Sequence, residues 1–388
     1  MTVLVLGVGL QGRATVYDLA RCGLDVVAAD RDLDEARRSM GTLSPGIVLR
    51  SVDATDHDDL CEAIRVTGAR VVVCMVPPAL QQGVARAAVE QGVSFVSSCY
   101  TRQLGALDEA ARSAGVALLP EMGVDPGIDL VLCRLAVESL DEVHGLRSYG
   151  GGVPERSVAD NLLRYKVSWT LSGVLSAYRR PARLLRAGEV EDIAPEALFD
   201  DPHQIEVDDV GTMEAVPNGD ALVYLPRLGL GDGIRDTGRY TLRWPGHAAA
   251  WRLLGGLGLL DLEPVVVDGV PVSPRTFLAH LLEPQLQYGP DEGDLVVLRS
   301  VAWGRRQGRA TEVCWDLVDR RDPATGLFAM NRTVGFTASI AAQMILDGTI
   351  DEVGLLSPTR DVPVEALLDA LRERGMGIVN RTLSSDDR

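Results

Sequence analysis

The feature that most constrains this 388-residue chain stands at its start. Residues 3–7, VLVLG, form a short apolar run. Gly7-Val8-Gly9-Leu10-Gln11-Gly12 then reads G-x-G-x-x-G and leads into a helical pattern over 10–22. The first glycine permits a tight turn, the second lets the backbone approach a pyrophosphate, and the third lets helix and strand pack closely. The helix N-terminus offers unpaired N–H groups to an anion. Asp30, 18 residues beyond Gly12, closes the run VVAAD, where a carboxylate can bond an adenosine ribose. A dinucleotide is the ligand this arrangement serves.

The rhythm continues through the first third. VVAAD (26–30), IVLRSVD (47–53), VVVCMV (71–76), VSFVSS (93–98) and VALLP (116–120) read as buried parallel strands. Helical patterns over 33–40, 56–67, 79–91 and 101–114 separate them, so the spacing predicts a Rossmann-type, doubly wound parallel sheet. Leu10, Gln11, Arg31, Asp53, Val76 and Pro77 join Gly7, Gly9, Gly12 and Asp30 as the expected cofactor contacts, at strand exits and the first helix turn. A carboxylate at Asp30 favours NAD over NADP, because a 2′-phosphate there sets anion against anion. Arg31 leaves NADP open, since arginines clamp that phosphate.

After residue 120 the pattern changes. LPEMGVDPGIDLV (118–130) is a turn-rich interruption, and 126–140 reads as a helix. The stretch 141–330 mixes long strands with Gly/Pro-rich connections. LVVLRSVAW (295–303) and ATEVCWDLV (310–318) read as an antiparallel hairpin, with helices over 247–260 and 273–286. The fold class expected is α/β: a Rossmann domain over 1–122, then an inserted α/β substrate and dimerisation domain over 123–330 with a mixed or antiparallel sheet. Helices in 331–388 return to the first domain, and the final SSDDR is expected to fray.

Composition excludes several classes. A formal net charge of −17 argues against a nucleic-acid footprint. No apolar run reaches the ~18 residues of a membrane span. Six cysteines without a CxxC pair support neither a zinc site nor a disulfide framework, so no metal and a cytoplasmic location are expected. Tyr165 and Lys166 are adjacent, which removes the Tyr-xxx-Lys pair of short-chain dehydrogenases. No G-x-S-x-G elbow or P-loop is present. The chemistry must come from the second domain.

Four stretches carry a resemblance: GVDPGID (123–129), GGGVPERSVADNLLRYKVSWTLSGVLSAYRRPARLLRAGEVEDI (150–193), GRYTLRWPGH (238–247) and RTVGFTASIAAQMILDGTI (332–350). Together they resemble the saccharopine dehydrogenase-like superfamily, nearest its lysine 6-dehydrogenase and glutamate-forming saccharopine reductase branches. The resemblance implies hydride exchange between a nicotinamide cofactor and a C–N bond of an amino acid or polyamine. One departure stands out: Gly150 lies where saccharopine reductases carry a cysteine, which implies a reshaped pocket.

Candidate residues follow. Asp125 reads both as a helix cap ahead of Pro126 and, through the resemblance, as a substrate-site group. Lys166, in an otherwise apolar strand beside Tyr165, is a base candidate if desolvated, or a snorkelling edge lysine. Arg239 and Arg243, four apart in a strand, share one face and suit a substrate carboxylate; surface pairing is the alternative. His247 opens a helix and is a proton relay or an ordinary first-turn residue. Thr333 and Gly335 read as preceding a helix. The expectation is oxidative deamination of a terminal amine, as in lysine 6-dehydrogenase. The alternatives are reductive condensation of an aldehyde with an amine, and a non-catalytic NAD sensor. A homodimer is expected.

Overall fold

The structure, a computed structural model, describes residues 1–43, 46–231 and 233–384. The chain divides into two compact units: Met1–Val131 with Asp322–Met376, and Leu132–Arg321 with the segment from Gly377 onward.

The first unit begins with β1 (Thr2–Leu6), α1 (Leu10–Arg21), β2 (Asp25–Asp30), α2 (Leu33–Met40), β3 (Val48–Ser51) and α3 (His57–Thr67). It continues with β4 (Val71–Cys74), α4 (Gln81–Glu90), β5 (Ser94–Ser97), α5 (Asp108–Ala114) and β6 (Ala117–Leu119). Helix α6 (Ile128–Glu138) carries the chain into the second unit, where β7 (Glu142–Pro154), α7 (Leu171–Ala177), β8 (Ala182–Arg186) and β9 (Glu189–Ile193) follow. Next come β10 (His203–Val207), β11 (Gly211–Pro217), β12 (Asp236–Arg243), α8 (His247–Gly256), β13 (Val265–Val267) and β14 (Val270–Val272). Helix α9 (Pro274–Leu282) and the hairpin β15 (Asp294–Arg306)–β16 (Arg309–Arg320) precede α10 (Ala329–Asp347), β17 (Gly354–Leu355), α11 (Val364–Glu373) and β18 (Gly377–Ser384).

Seven parallel strands form the first sheet in the order β17-β6-β5-β4-β1-β2-β3. The six sequence-predicted strands are its members. Their runs are apolar because helices cover both faces, leaving no water-facing side to alternate with. Leu4, Leu6, Val72, Cys74 and Phe95 are buried with Leu60, Ile64, Val84 and Ala88 of the covering helices. The chain order reverses between β1 and β4, where ligands bind in such sheets.

Helix α10 lies against α1. A Cβ on Gly335 would stand 2.7 Å from the Ala14 Cβ, so α10 needs glycine at this crossing. Thr15 donates to the Gly335 carbonyl at 3.1 Å. Asp18, with 0% exposure, accepts from Ser339 at 2.7 Å and pairs with Arg374 at 2.8 Å. Thr333 and Gly335, expected before a helix, lie within α10, which begins at Ala329.

In the second unit the main sheet runs β10-β11-β12-β7-β15-β16-β18, with β8 against β12 and β9 against β8. It is mixed: β12 pairs with β7 in parallel, whereas β15 pairs antiparallel with both β7 and β16. The β15–β16 hairpin turns on Gln307 and Gly308, both at positive φ, which matches strand twist in a two-residue loop.

The expected boundaries need correction. The first unit extends past 122 to Val131, and it resumes at Asp322 rather than 331. The turn after β6 is tied to the first sheet through Met122 N–H to the Ser97 carbonyl at 2.8 Å. The C-terminal segment is not all helix: β18 pairs with β16 in the second sheet, from Val318 opposite Gly377 to Thr311 opposite Ser384. Of the expected frayed tail, Ser384 is in this strand and the rest lies outside the described residues.

Candidate active site

The candidate cofactor site is built on the first unit. Gly7 has φ +92° and donates to Ala29 O at 2.8 Å, turning the chain out of β1. A Cβ on Gly7 would press on Met75 backbone atoms at 2.8 Å, and one on Gly12 would lie 1.9 Å from Gly7 O. A Cβ on Gly9 would meet nothing within 4 Å. Two glycines therefore serve the protein's own packing, and the third faces open space, as a pyrophosphate requires. Gly9 is the N-cap of α1, which has no side-chain cap and no acidic residue in its first turn. The Leu10 and Gln11 amides are thus left to an anion. These residues fit a dinucleotide.

The strand exits hold two surprises. Asp30 accepts Val8 N–H at 2.8 Å through one carboxylate oxygen and Asp32 N–H at 3.2 Å through the other. It braces the glycine turn with the very atoms expected to reach a ribose. Asp53 accepts from Thr55, at 2.9 Å from the amide and 2.7 Å from the hydroxyl. Those bonds, with a smaller contribution from the Arg31 charge, hold its carboxyl below the usual range. Arg31 is exposed at the same rim, and its charge also helps lower Asp32, whose main cause is the Glu35 amide. Val76 is half-buried and Pro77 exposed at the exit of β4.

Asp125 is not a helix cap. Helix α6 starts at Ile128, and the Asp129 carboxylate accepts the Gly127 amide at 2.7 Å. Asp125, in a cis peptide bond to Pro126, is half-buried and accepts from the Tyr100 hydroxyl at 3.3 Å.

The second unit gathers Tyr165, Lys166, Arg243 and His247 around residues that sequence reading passed over: Tyr178, Tyr288 and Glu292. Lys166 lies in irregular backbone rather than a strand. Its amine sits 2.7 Å from the Glu292 carboxylate and 3.3 Å from the Gln287 carbonyl. The premise of an amine against an apolar wall is corrected: it meets a carboxylate, whose own pKa that bond lowers. Tyr165 is fully buried, and burial pushes its phenol up to about 12 against the Arg243 charge.

Arg243, at the end of β12, is buried. Its Nε donates to the Tyr178 hydroxyl at 3.0 Å and its NH1 to Leu242 O at 2.8 Å. The guanidinium lies 5.2 Å from the Tyr165 ring centre and 5.9 Å from that of Tyr178. No carboxylate is within ion-pair distance of it among the described residues. Glu214 stands opposite Arg243 in the β11–β12 ladder, yet its carboxylate accepts the Ala248 amide at 2.9 Å. His247 has 0% exposure, with Nδ1 2.7 Å from Leu163 O and Nε2 2.8 Å from the Tyr178 hydroxyl. Burial, then the Arg243 charge, holds its imidazole well below the ordinary histidine range. It is a neutral hydrogen-bonding group.

Arg239 shares the strand face of Arg243 and lies 4.9 Å from the Tyr224 ring centre. Gly150, in β7, pairs with Thr241 and Leu298. Glu292 and Tyr178 carry no local signal: they reach Lys166 and His247 across 126 and 69 residues.

Comparison with known proteins identifies the lineage. Residues 3–119 match the saccharopine dehydrogenase NADP binding domain, and 123–376 match the saccharopine dehydrogenase C-terminal domain. The chain belongs to the saccharopine dehydrogenase family. As a member it is an oxidoreductase that uses a nicotinamide dinucleotide on a CH–NH bond. Similar proteins include a saccharopine dehydrogenase [NADP(+), L-glutamate-forming] of Pyricularia oryzae, 27% identical over 96% of this chain and 97% of that protein. Its namesake in Saccharomyces cerevisiae is 26% identical, covering 98% and 99%. The mitochondrial alpha-aminoadipic semialdehyde synthase of Mus musculus is 27% identical over 79% of this chain and 40% of that protein. Among solved structures, apo saccharopine dehydrogenase (L-Glu forming) from Saccharomyces cerevisiae has a TM-score of 0.86 at 24% identity, covering 98% of this chain and 99% of that one, and shares the fold. The expectation of NAD is not supported. The matching family domain is an NADP binding one, and Asp30 is engaged by two backbone amides. No described helix is long and apolar enough to cross a membrane.

Proposed function

We propose that this chain is an NADP-dependent, glutamate-forming saccharopine dehydrogenase. It would interconvert saccharopine with glutamate and aminoadipate semialdehyde. The observation that carries this reading is Arg243, a buried guanidinium with no carboxylate partner among the described residues. A buried charge needs a counter-ion, and a substrate carboxylate supplies one in the forked geometry arginine favours. Saccharopine offers three carboxylates where lysine offers one. Arg239 on the same strand face and the Lys166 ammonium are further anchors for them. This reading replaces the lysine 6-dehydrogenase expectation, because the relatives that match along nearly their whole length carry the saccharopine name.

The bound nicotinamide supplies the hydride acceptor or donor. The Leu10 and Gln11 amides and the gap before Gly9 would hold the pyrophosphate, and Arg31 would supply the positive charge for the 2′-phosphate. Asp125, bonded by Tyr100, is the base we assign to the substrate nitrogen. A secondary amine must be neutral before its carbon can lose hydride, so that proton has to move first.

The test is a substrate panel followed by absorbance of the reduced cofactor. Saccharopine with NADP+ should produce NADPH, and glutamate with aminoadipate semialdehyde should consume it. Turnover of lysine with none of saccharopine, in either direction, would overturn the proposal.

A further inference from the structure

We propose that His57, Cys61 and Glu90 form a binding site for a divalent transition-metal ion of the zinc class. Cys61 follows His57 by four residues on α3, so the two side chains share a helix face. Glu90 ends α4. That helix packs on α3, and Val84 and Ala88 share one buried cluster with Leu60 and Ile64. One ring nitrogen, the sulfur and one carboxylate oxygen all lie within 4.8 Å of one another. Among the described residues no other cluster of these ligand types meets that spacing.

The edges of the triangle suit a tetrahedral ion. His57 Nε2 stands 3.6 Å from Cys61 Sγ and 2.8 Å from Glu90 Oε2. Zinc bonds of about 2.3 Å to sulfur and about 2.0 Å to nitrogen, at a tetrahedral angle, place those two atoms about 3.6 Å apart. The nitrogen–oxygen edge would open by only about half an ångström.

The donor set selects the ion. A thiolate with an imidazole favours zinc or cobalt over magnesium or calcium, which prefer oxygen. Side-chain exposures of 44% for His57 and 48% for Glu90 leave an entry path. Besides burial, the carboxylates of Glu90 and Asp58 raise the Cys61 thiol, and the same negative potential draws a cation. Binding exchanges the thiol proton, released to solvent, for the metal–sulfur bond, with no change of oxidation state. The chain supplies three ligands, and the fourth position is open to water or an external donor. In the metal-free protein these atoms form a half-exposed His–Glu pair, which by itself contributes little. Taking the lack of CxxC as decisive overlooked this H-x-x-x-C spacing, whose third ligand comes from another helix.

The probe is cobalt(II), added to the full-length, chelator-washed protein. Tetrahedral visible bands and a thiolate-to-cobalt charge-transfer band should saturate at one ion per chain, and zinc(II) should bleach both. Cys61→Ser should abolish the charge-transfer band, whereas Cys22→Ser should keep it. His57→Ala and Glu90→Gln should each weaken cobalt binding at least tenfold. In chelator all four variants should melt within a few degrees of the wild type, because Cys22, His57 and Glu90 are exposed and Cys61, partly buried against the core, changes only from sulfur to oxygen. A charge-transfer band that survives in Cys61→Ser, or a wild-type protein that shows none at saturating cobalt, would overturn the site.

Discussion

The Tyr178 hydroxyl donates to Nε2 of His247 across 2.8 Å, at the centre of a one-way chain of hydrogen bonds. Arg243 Nε donates to the Tyr178 oxygen, and His247 Nδ1 donates to the Leu163 carbonyl. A carbonyl can only accept, so Nδ1 carries the proton and Nε2 must accept. Protonating the ring would force the Tyr178 hydroxyl to reverse its bond to Nε2 and would place a second positive charge beside a buried guanidinium. The chain is complete only with a neutral imidazole.

This arrangement predicts acid sensitivity. The folded pKa of His247 is depressed, by burial first and the Arg243 charge second. Its stabilising effect is therefore full above the unfolded value of about 6.5 and declines as pH falls, because only the unfolded chain binds the proton. The expected slope is about 1.4 kcal/mol per pH unit from this group. His203, also lowered mainly by burial, adds in the same direction. Urea midpoints at pH 7.5 and 5.5, for the wild type and His247→Phe, isolate the contribution: the variant should be less stable at pH 7.5 but lose less on acidification. Parallel losses in both proteins would refute a neutral buried His247.

Asp18 carries a second prediction. It lies on α1 with no exposure, and its partners Ser339 and Arg374 come from more than 300 residues later in the chain. Asp18→Ala would leave the Arg374 guanidinium, 6% exposed, without its counter-ion. Removing one member of a buried pair costs about 3–5 kcal/mol. Asp18→Ala combined with Arg374→Met should recover part of that loss. A double variant no better than the single one would show that the pair itself is not what joins these helices.

The legible and illegible parts of this molecule divide along physical lines. The parallel strands were readable because burial on both faces makes them continuous apolar runs between turn residues. The glycine turn was readable because its chemistry is local. The ion pair of Lys166 with Glu292 was not, since nothing within a few residues of Lys166 marks a carboxylate that arrives from position 292. Asp125 misled for a related reason: an Asp before Pro has the form of a cap, but the first amides of the helix, those of Ile128 and Asp129, donate to the Gly123 and Val124 carbonyls. Asp30 stands at the strand exit where the sequence placed it, but its bonds to the Val8 and Asp32 amides were not legible, because they depend on how the turn closes over it.

Arg243 separates a structural arginine from a substrate anchor. Because Arg243 has no ion-pair partner among the described residues, replacing it by an apolar group of similar size strands no opposite charge. Arg243→Met should therefore fold, with stability lowered by the loss of the bonds to the Tyr178 hydroxyl and the Leu242 carbonyl, about 1.5–3 kcal/mol each. If the guanidinium meets a substrate carboxylate, KM for saccharopine should rise a hundredfold or more, and Arg243→Lys should recover only part of it, lacking the fork. Unchanged KM in Arg243→Met would remove this residue from the site.

The glycines of the first turn give the last prediction, in which stability and binding are read apart. A methyl group on Gly12 would sit 1.9 Å from the Gly7 carbonyl oxygen, so β1 and α1 would have to separate. Gly12→Ala should lower the melting temperature even without cofactor, since overpacking of this kind costs about 1–3 kcal/mol or more. A methyl group on Gly9 would touch nothing in the protein, and the residue's φ of −71° is ordinary for alanine. Gly9→Ala should therefore melt like the wild type when free of cofactor. It should nevertheless bind NADP(H) at least tenfold more weakly, because the methyl occupies the space in which the pyrophosphate approaches the Leu10 and Gln11 amides. Thermal shift without and with a titration of NADPH measures both quantities on one sample. Full NADPH affinity in Gly9→Ala would mean that the pyrophosphate does not lie on this turn.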